Sequence, residues 1–404
     1  MYHPFLIEFD YKVINNATGQ IVRTFWEKVP SDEWCPTIVC AKRENSFMSN
    51  WELCEIEDNQ HLTRWLMGLR HIGFSDLVWQ PDIIYHIWGK RVIKKAKNII
   101  NSRMCDYIHS ISCPYGDHIV AMEIKKRTGL PWIAQFFDPW IGNTANFHTS
   151  FFRSKFEAME YAIAKNADYI IHTNSIIAEE WKKRYGSLVS NKMKVLPLTF
   201  NTSNLPVVKP IQNNGKLVLS HIGHIYESRS LKDVVDAIKT LSIEIPEVLN
   251  KLEILIVGKV DNGEKEYIRG CGLDRVFIFA GLVAPDQLDS YYQKSDAFIA
   301  LDLNTNNCQS FPSKLMLYYY YKKPIIGITT RGSVMESDLL KSKHNVFYYG
   351  ESQRICEYLK SLLYDKEPQY SFTTDYWRNF TVEKGIEEYK KIVDGIVLDK
   401  YNRT

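Results

Sequence analysis

The sequence predicts an α/β protein made of two doubly wound domains that face each other across a cleft. Three observations carry that expectation. At 404 residues the chain is long for one core and suits two domains. Short apolar runs rich in branched residues alternate with amphipathic helical stretches, the pattern of a parallel sheet covered on both faces. Several of the apolar runs end at or near glycine, where the chain must turn sharply into the next element.

The second half carries the pattern most clearly. Strands are expected at 217–223, 252–258, 276–281, 297–301, 324–329 and 345–349. Helices fill the gaps at 231–241, 264–270, 285–295, 312–321 and 334–341, with a last one from Glu351. In the first half the first strand assigned is 107–112, followed by a helix at 117–128 and a strand at 132–137. That helix has Asp117 in its first turn and Lys125, Lys126 and Arg127 in its last, and Gly129 and Pro131 stop it. Helix 156–165, strand 169–172, helix 175–185 and strand 194–196 complete the half. Asn201 to Gly215, with Pro206, Pro210 and adjacent asparagines, reads as a linker. The expected division is therefore a Rossmann-like domain at 1–200, a linker at 201–215 and a second Rossmann-like domain at 216–375. A terminal helical segment, 376–404, is expected to pack back on the first domain.

Composition narrows the function. Apolar residues at 45% and charged residues at 24% fit a soluble globular protein. A net charge of +3 gives no electrostatic case for nucleic acid as a partner. The eight cysteines contain no Cys-x-x-Cys pair, so neither a zinc cage nor a thioredoxin-type site is indicated. With no signal peptide and no apolar run of about 18 residues, the expected location is the cytoplasm. Lys90, Arg91, Lys94, Lys95 and Lys97 form a basic cluster with interleaved Val92, Ile93, Ile99 and Ile100. It is either a solvated helix face or a point of peripheral contact with the inner face of a membrane.

Motifs supply the chemistry. Asp106-Tyr107-Ile108-His109-Ser110-Ile111-Ser112-Cys113-Pro114 leads through His118 to Thr128-Gly129-Leu130-Pro131, and that stretch closes at Phe137-Asp138-Pro139-Trp140. Glu160 and Ala167-Asp168-Tyr169 follow, then Gly223 through Ser230, then Phe311-Pro312-Ser313-Lys314-Leu315 running to Lys323-Pro324. Taken in order, from about residue 100 to 395, these segments resemble the GT-B glycosyltransferases of the retaining group called family 4.

The resemblance implies a sugar transferred from a nucleotide sugar, here a UDP-sugar, to a saccharide or lipid-linked saccharide acceptor in cell-surface polysaccharide synthesis. The nucleotide sugar is a substrate, and neither a cofactor nor a metal is implied. Arg229, Lys314 and the start of the Pro312 helix would clamp the diphosphate, with Gly223 letting it approach the backbone. Gln309, Ser310, Phe311 and Ser313 line the same turn, and Val283 would lie beside the nucleobase. On the opposite wall Asp138 and His118 would orient a hydroxyl, with Phe137 and Trp140 as a stacking surface for sugar. Each residue has a plainer alternative: a solvated charge for Arg229 and Lys314, a turn for Gly223, Val283 and Asp138, a packed ring for His118.

The pattern also departs from the family. The glutamates of its E-x7-E motif are Gln309 and Leu317 here, its Arg-Asp is Phe137-Asp138, and Asn15-Asn16-Ala17-Thr18-Gly19 lacks the double-glycine loop. A catalytically silent binding or partner subunit of the same fold is the second hypothesis. No Asp-x-Asp that would hold a metal-bound diphosphate occurs, and no Gly-x-Gly-x-x-Gly of a dinucleotide oxidoreductase.

Overall fold

The computed structural model describes the chain except for residues 15, 44–46, 60, 63–64, 66–83, 142–149, 204, 209–214, 227, 307, 365–371 and 402–404. Asn15, Glu227, Asn307 and residues 204 and 209–214 of the expected linker therefore lie outside the described residues. The chain divides into two compact units. One is Met1–Ser203 together with Asn379–Thr404; the other is Asn204–Arg378.

The first unit runs β1 (Pro4–Ile7), α1 (Ala17–Trp26), β2 (Thr37–Ala41), β3 (Leu53–Ile56), α2 (Lys90–Arg103), β4 (Tyr107–Ser112) and α3 (Gly116–Thr128). It continues with β5 (Trp132–Phe136), α4 (Ser150–Asn166), β6 (Tyr169–His172), α5 (Ser175–Tyr185) and β7 (Met193–Val195). Its strands pair in the order β3-β2-β1-β4-β5-β6-β7, and each described pairing is parallel. Every residue of β1, β2, β4 and β5 is buried, because helices cover both faces of the sheet. Side-chain caps fix where two of the helices begin. Asn16 accepts from Gly19 N at the start of α1, and Asn174 accepts from Ile177 N at the start of α5.

The second unit runs β8 (Leu217–Ile222), α6 (Lys232–Glu244), β9 (Leu252–Val257), α7 (Asn262–Gly270), β10 (Phe277–Gly281) and α8 (Leu288–Lys294). Then come β11 (Ala297–Leu301), α9 (Lys314–Tyr320), β12 (Ile325–Thr329), α10 (Val334–Lys341), β13 (Asn345–Tyr348) and α11 (Ser352–Tyr364). The parallel order is β10-β9-β8-β11-β12-β13. The strand order reverses between β8 and β11, and in open sheets of this kind ligands bind beyond the carboxyl ends of the strands at that reversal.

The last helix, α12 (Val382–Tyr401), covers one face of the first sheet. Its Tyr389 stacks on Trp34 and His109, and its hydroxyl meets Tyr107 Oη at 3.1 Å and His109 Nδ1 at 2.8 Å. Ile392, Val393 and Ile396 join Leu6, Ile38, Ile133 and Ile171 in that core.

Three strands precede the first one assigned from sequence. They are four or five residues long, and β1 and β2 are buried on both faces, so neither alternation nor a bounding glycine marks them.

Candidate functional site

The carboxyl ends of β8 and β11 bring three of the singled-out residues and two overlooked ones together. Gly223 follows β8 with φ +147°, and its N–H donates to Val257 O at 2.7 Å. A Cβ there would sit 2.5 Å from Lys314 Nζ, so the absence of a side chain is what lets the lysine lie on the backbone. The neighbouring strand end is equally tight. A Cβ on Gly258 would fall 2.4 Å from Gly223 O.

His221, two residues before Gly223, is fully buried. Its Nδ1 lies 2.9 Å from Ile299 O on β11 and its Nε2 lies 3.2 Å from Lys314 Nζ. A carbonyl oxygen only accepts, so Nδ1 carries the proton and Nε2 offers its lone pair to the lysine. Burial, then the charges of Lys314 and Arg229, hold the ring neutral.

The Lys314 residue keeps some exposed surface, but its amine points inward onto Gly223 and His221. Burial foremost, and then the charge of Arg229, lower its pKa to about 7, while Asp302 opposes them. Arg229 is half-buried, with its guanidinium 4.9 Å over the Tyr226 ring.

Asp302 follows β11 and is buried. Its carboxyl accepts from Thr329 Oγ1 at 2.8 Å, Cys308 Sγ at 3.0 Å and Leu303 N at 2.9 Å. Tyr349 Oη donates to its carbonyl at 2.6 Å. Burial raises its pKa, against the pull of those hydrogen bonds and Arg229.

The turn entering α9 differs from expectation. The regular helix begins at Lys314 rather than Pro312, and Leu315 N bonds to Pro312 O at 2.9 Å in one tight turn. The helix is only seven residues long, so its dipole adds less to anion binding than a long helix would. Gln309 is buried, Ser310 and Phe311 are half-buried and Ser313 is exposed. Tyr318 anchors the helix from below, its Oη accepting from Ile222 N at 2.9 Å. Val283 lies past the edge strand β10, two strands away from Gly223.

The first unit corrects two expectations. His118 is fully buried on α3, its Nδ1 2.8 Å from Ser110 Oγ and its ring 4.3 Å from that of Phe136. Ser110 Oγ also accepts from Trp132 Nε1 at 2.8 Å. Burial lowers the His118 pKa to about 3 and its buried Nε2 has no partner among the described residues, so the ring is a packed one. Trp140 is buried as well, stacked on Tyr115 at 4.6 Å, so it cannot be a wall for sugar. Phe137 and Asp138 remain half-buried after β5.

Sequence reasoning also missed an acidic group where β1 ends beside α3. Glu8 and Asp117 are fully buried, and Asp117 accepts from Phe9 N at 2.8 Å. Burial pushes both carboxyls well above the usual range, and Asp117 and Asp10 push Glu8 further. A polar residue inside an apolar strand was the available signal for His221; Glu8, just past β1, and Asp117, in α3, carry no such mark.

Among the described residues no group of three His, Cys, Asp or Glu side chains is placed to hold a metal ion. None of the described helices is long and apolar enough to cross a membrane. Lys94, Lys95 and Lys97 lie exposed on α2, where Lys94 and Lys95 border an open groove of about 890 Å3 also lined by Lys42, Arg91, Glu55 and Glu57.

Residues 206–374 match the family described as Glycosyl transferases group 1. No curated protein is significantly similar in sequence. Solved structures of similar fold include sucrose-phosphate synthase from Thermosynechococcus elongatus, at 13% identity over 100% of this chain and 98% of that one, TM-score 0.61. Another is Anabaena HepE, 11% identical over 98% and 100%, TM-score 0.63. A third is the lipopolysaccharide outer core galactosyltransferase WaaB, 12% identical over 98% and 99%, TM-score 0.63. The segment 206–374, whose β8/β11 crevice gathers Gly223, Arg229 and Lys314, matches the glycosyl transferases group 1 family, and the chain as a whole has the GT-B fold of these solved structures, with two Rossmann-like halves.

Proposed function

We propose that the second unit holds a UDP-sugar by its diphosphate and that the first unit supplies the surface for a saccharide or lipid-linked saccharide acceptor. The transfer retains anomeric configuration, needs no metal and serves cell-surface polysaccharide synthesis. The observation that carries the reading is the pair of basic side chains, Arg229 and Lys314, at the strand-order reversal beside a glycine. A diphosphate carries two negative charges, and an oxygen close to Gly223 would meet the Lys314 amine that lies there. In the transition state the same side chains would stabilise charge growing on the departing phosphate. HepE has been solved with UDP and with UDP-glucose, which favours a uridine nucleotide as the first donor to try. The exposed lysines of α2 suit a protein that meets a lipid-linked acceptor at an anionic membrane face.

Calorimetry with a panel of nucleotide sugars tests the reading. At least one donor should bind, and Lys314→Ala and Arg229→Ala should each cost about 1.5–3 kcal/mol of its affinity. If no donor binds, the chain is a silent member of its fold; if both variants bind normally, the diphosphate sits elsewhere. Anomeric NMR of the product decides retention, and turnover in EDTA decides the metal question.

A further inference from the structure

We propose that His221 is a positioning residue for the donor diphosphate: it holds the Lys314 amine over Gly223, and that amine takes up a proton when the diphosphate arrives. The inference rests on the donor-site reading above and adds to it a residue and a proton.

The geometry leaves the amine few partners. His221 Nδ1 is committed to Ile299 O, so Nε2 must accept, and Lys314 Nζ lies on its lone pair at 3.2 Å. On the other side the amine is pressed against Gly223, where even a Cβ would come within 2.5 Å. Lys314 forms no ion pair with a carboxylate among the described residues. The groups that face it from the surrounding elements are His221 from β8, Arg229 from the loop after β8 and Asp302 from the end of β11. Tyr349 stands behind Asp302, and Cys308 and Thr329 occupy the Asp302 carboxyl.

An amine in that setting has one cation beside it, a neutral acceptor and a carboxyl already tied to three donors. Burial foremost, and then Arg229, outweigh Asp302 and favour the neutral amine in the free site, so its pKa falls to about 7. A diphosphate brings two negative charges next to it and reverses the balance. The proton moves from solvent to Lys314 Nζ, and the ammonium then donates both to His221 Nε2 and to a phosphate oxygen. His221 acts through the lysine and need not touch the donor.

Calorimetry of UDP-glucose binding in two buffers of different protonation enthalpy counts the protons. With a free-site midpoint of about 7, uptake should be about 0.9 proton per complex at about pH 8 and about 0.1 at about pH 6. Lys314→Arg keeps the charge but cannot titrate, so its uptake should vanish. His221→Leu should lower affinity about ten-fold at pH 8 and much less at pH 6, and His221→Gln, whose amide oxygen accepts, should restore it. A loss equal at both pH values would make His221 merely structural and overturn the inference, as would wild-type uptake near zero at pH 8. Competitive acetylation of the free protein, read peptide by peptide, gives the Lys314 midpoint without any donor. A midpoint near that of ordinary lysine overturns the inference even if donors bind. A midpoint near 7 without donor binding upholds the lysine–histidine pair and sinks the donor reading alone.

Discussion

At the scale of single residues the site turns on how closely Gly223 and Lys314 approach. A methyl group at position 223 would collide with the end of a flexible side chain, which can move, but φ +147° also disfavours any L side chain. Gly223→Ala should therefore fold, with a loss of about 1–3 kcal/mol in denaturant titration. Its donor affinity should fall as well, because the displaced amine leaves the diphosphate; unchanged affinity would separate the glycine from the site. Arg229 and Lys314 were singled out from the sequence because each follows a strand or opens a helix within a motif. His221 and Asp302 were not. Each matters through partners remote in the chain, as the 93 residues between His221 and Lys314 illustrate, and one sequence shows no such pairing. His118 was misread for the related reason that a histidine's position in a motif does not reveal its burial.

At the scale of elements, the Tyr318 hydroxyl ties α9 to β8 beside the Lys314–His221 contact. Tyr318 Oη accepts from Ile222 N and its ring stacks on Phe298 of β11 at 4.2 Å. Tyr318→Phe keeps the stacking and leaves a buried amide without its partner, so it should cost about 1–3 kcal/mol of stability. Because α9 carries Lys314, the same change should loosen donor binding, measurable by calorimetry beside the denaturation curve. The strands of the second unit were legible, since several of their apolar runs end at or near glycine and alternate with amphipathic helices. The start of α9 was less so: Pro312 suits a first helical turn, yet the tight bond from Leu315 N to Pro312 O delays the regular helix to Lys314. The strands of the first hundred residues were too short and too evenly buried to show a period.

At the scale of the whole molecule, the first unit owes its completion to the last helix of the chain. Tyr389 links α12 to Tyr107 and His109, residues about 280 positions earlier. Removing residues 379–404 uncovers Trp34, Tyr107 and Ile133, and should make the first unit proteolytically labile while residues 204–378 stay resistant. The first unit also buries titratable groups of both kinds, which shapes its stability against pH. Glu8 and Asp117 have raised folded pKa values, so their contribution is full below the unfolded value of about 4 and is lost as pH rises through the raised ones. His109, His118 and His172 are lowered to about 3 by burial. Their contribution is full above the unfolded value of about 6.5 and is lost as pH falls from there toward 3. Urea midpoints should therefore decline on both sides of a maximum. Glu8→Gln should flatten the alkaline limb and His172→Phe the acid limb; a wild-type profile in either variant would show that the group does not titrate on folding.

What the sequence by itself determined is the architecture. Alternating apolar runs and amphipathic helices admit little besides two parallel sheets with covered faces, and motif order along the chain points to glycosyl transfer. Only the tertiary structure decided which polar groups meet: His221 with Lys314, Asp302 with Thr329, Tyr389 with His109. Burial and hydrogen bonding depend on atoms brought together from distant parts of the chain, so whether an amine, a carboxyl or an imidazole is charged is settled after folding, by its surroundings.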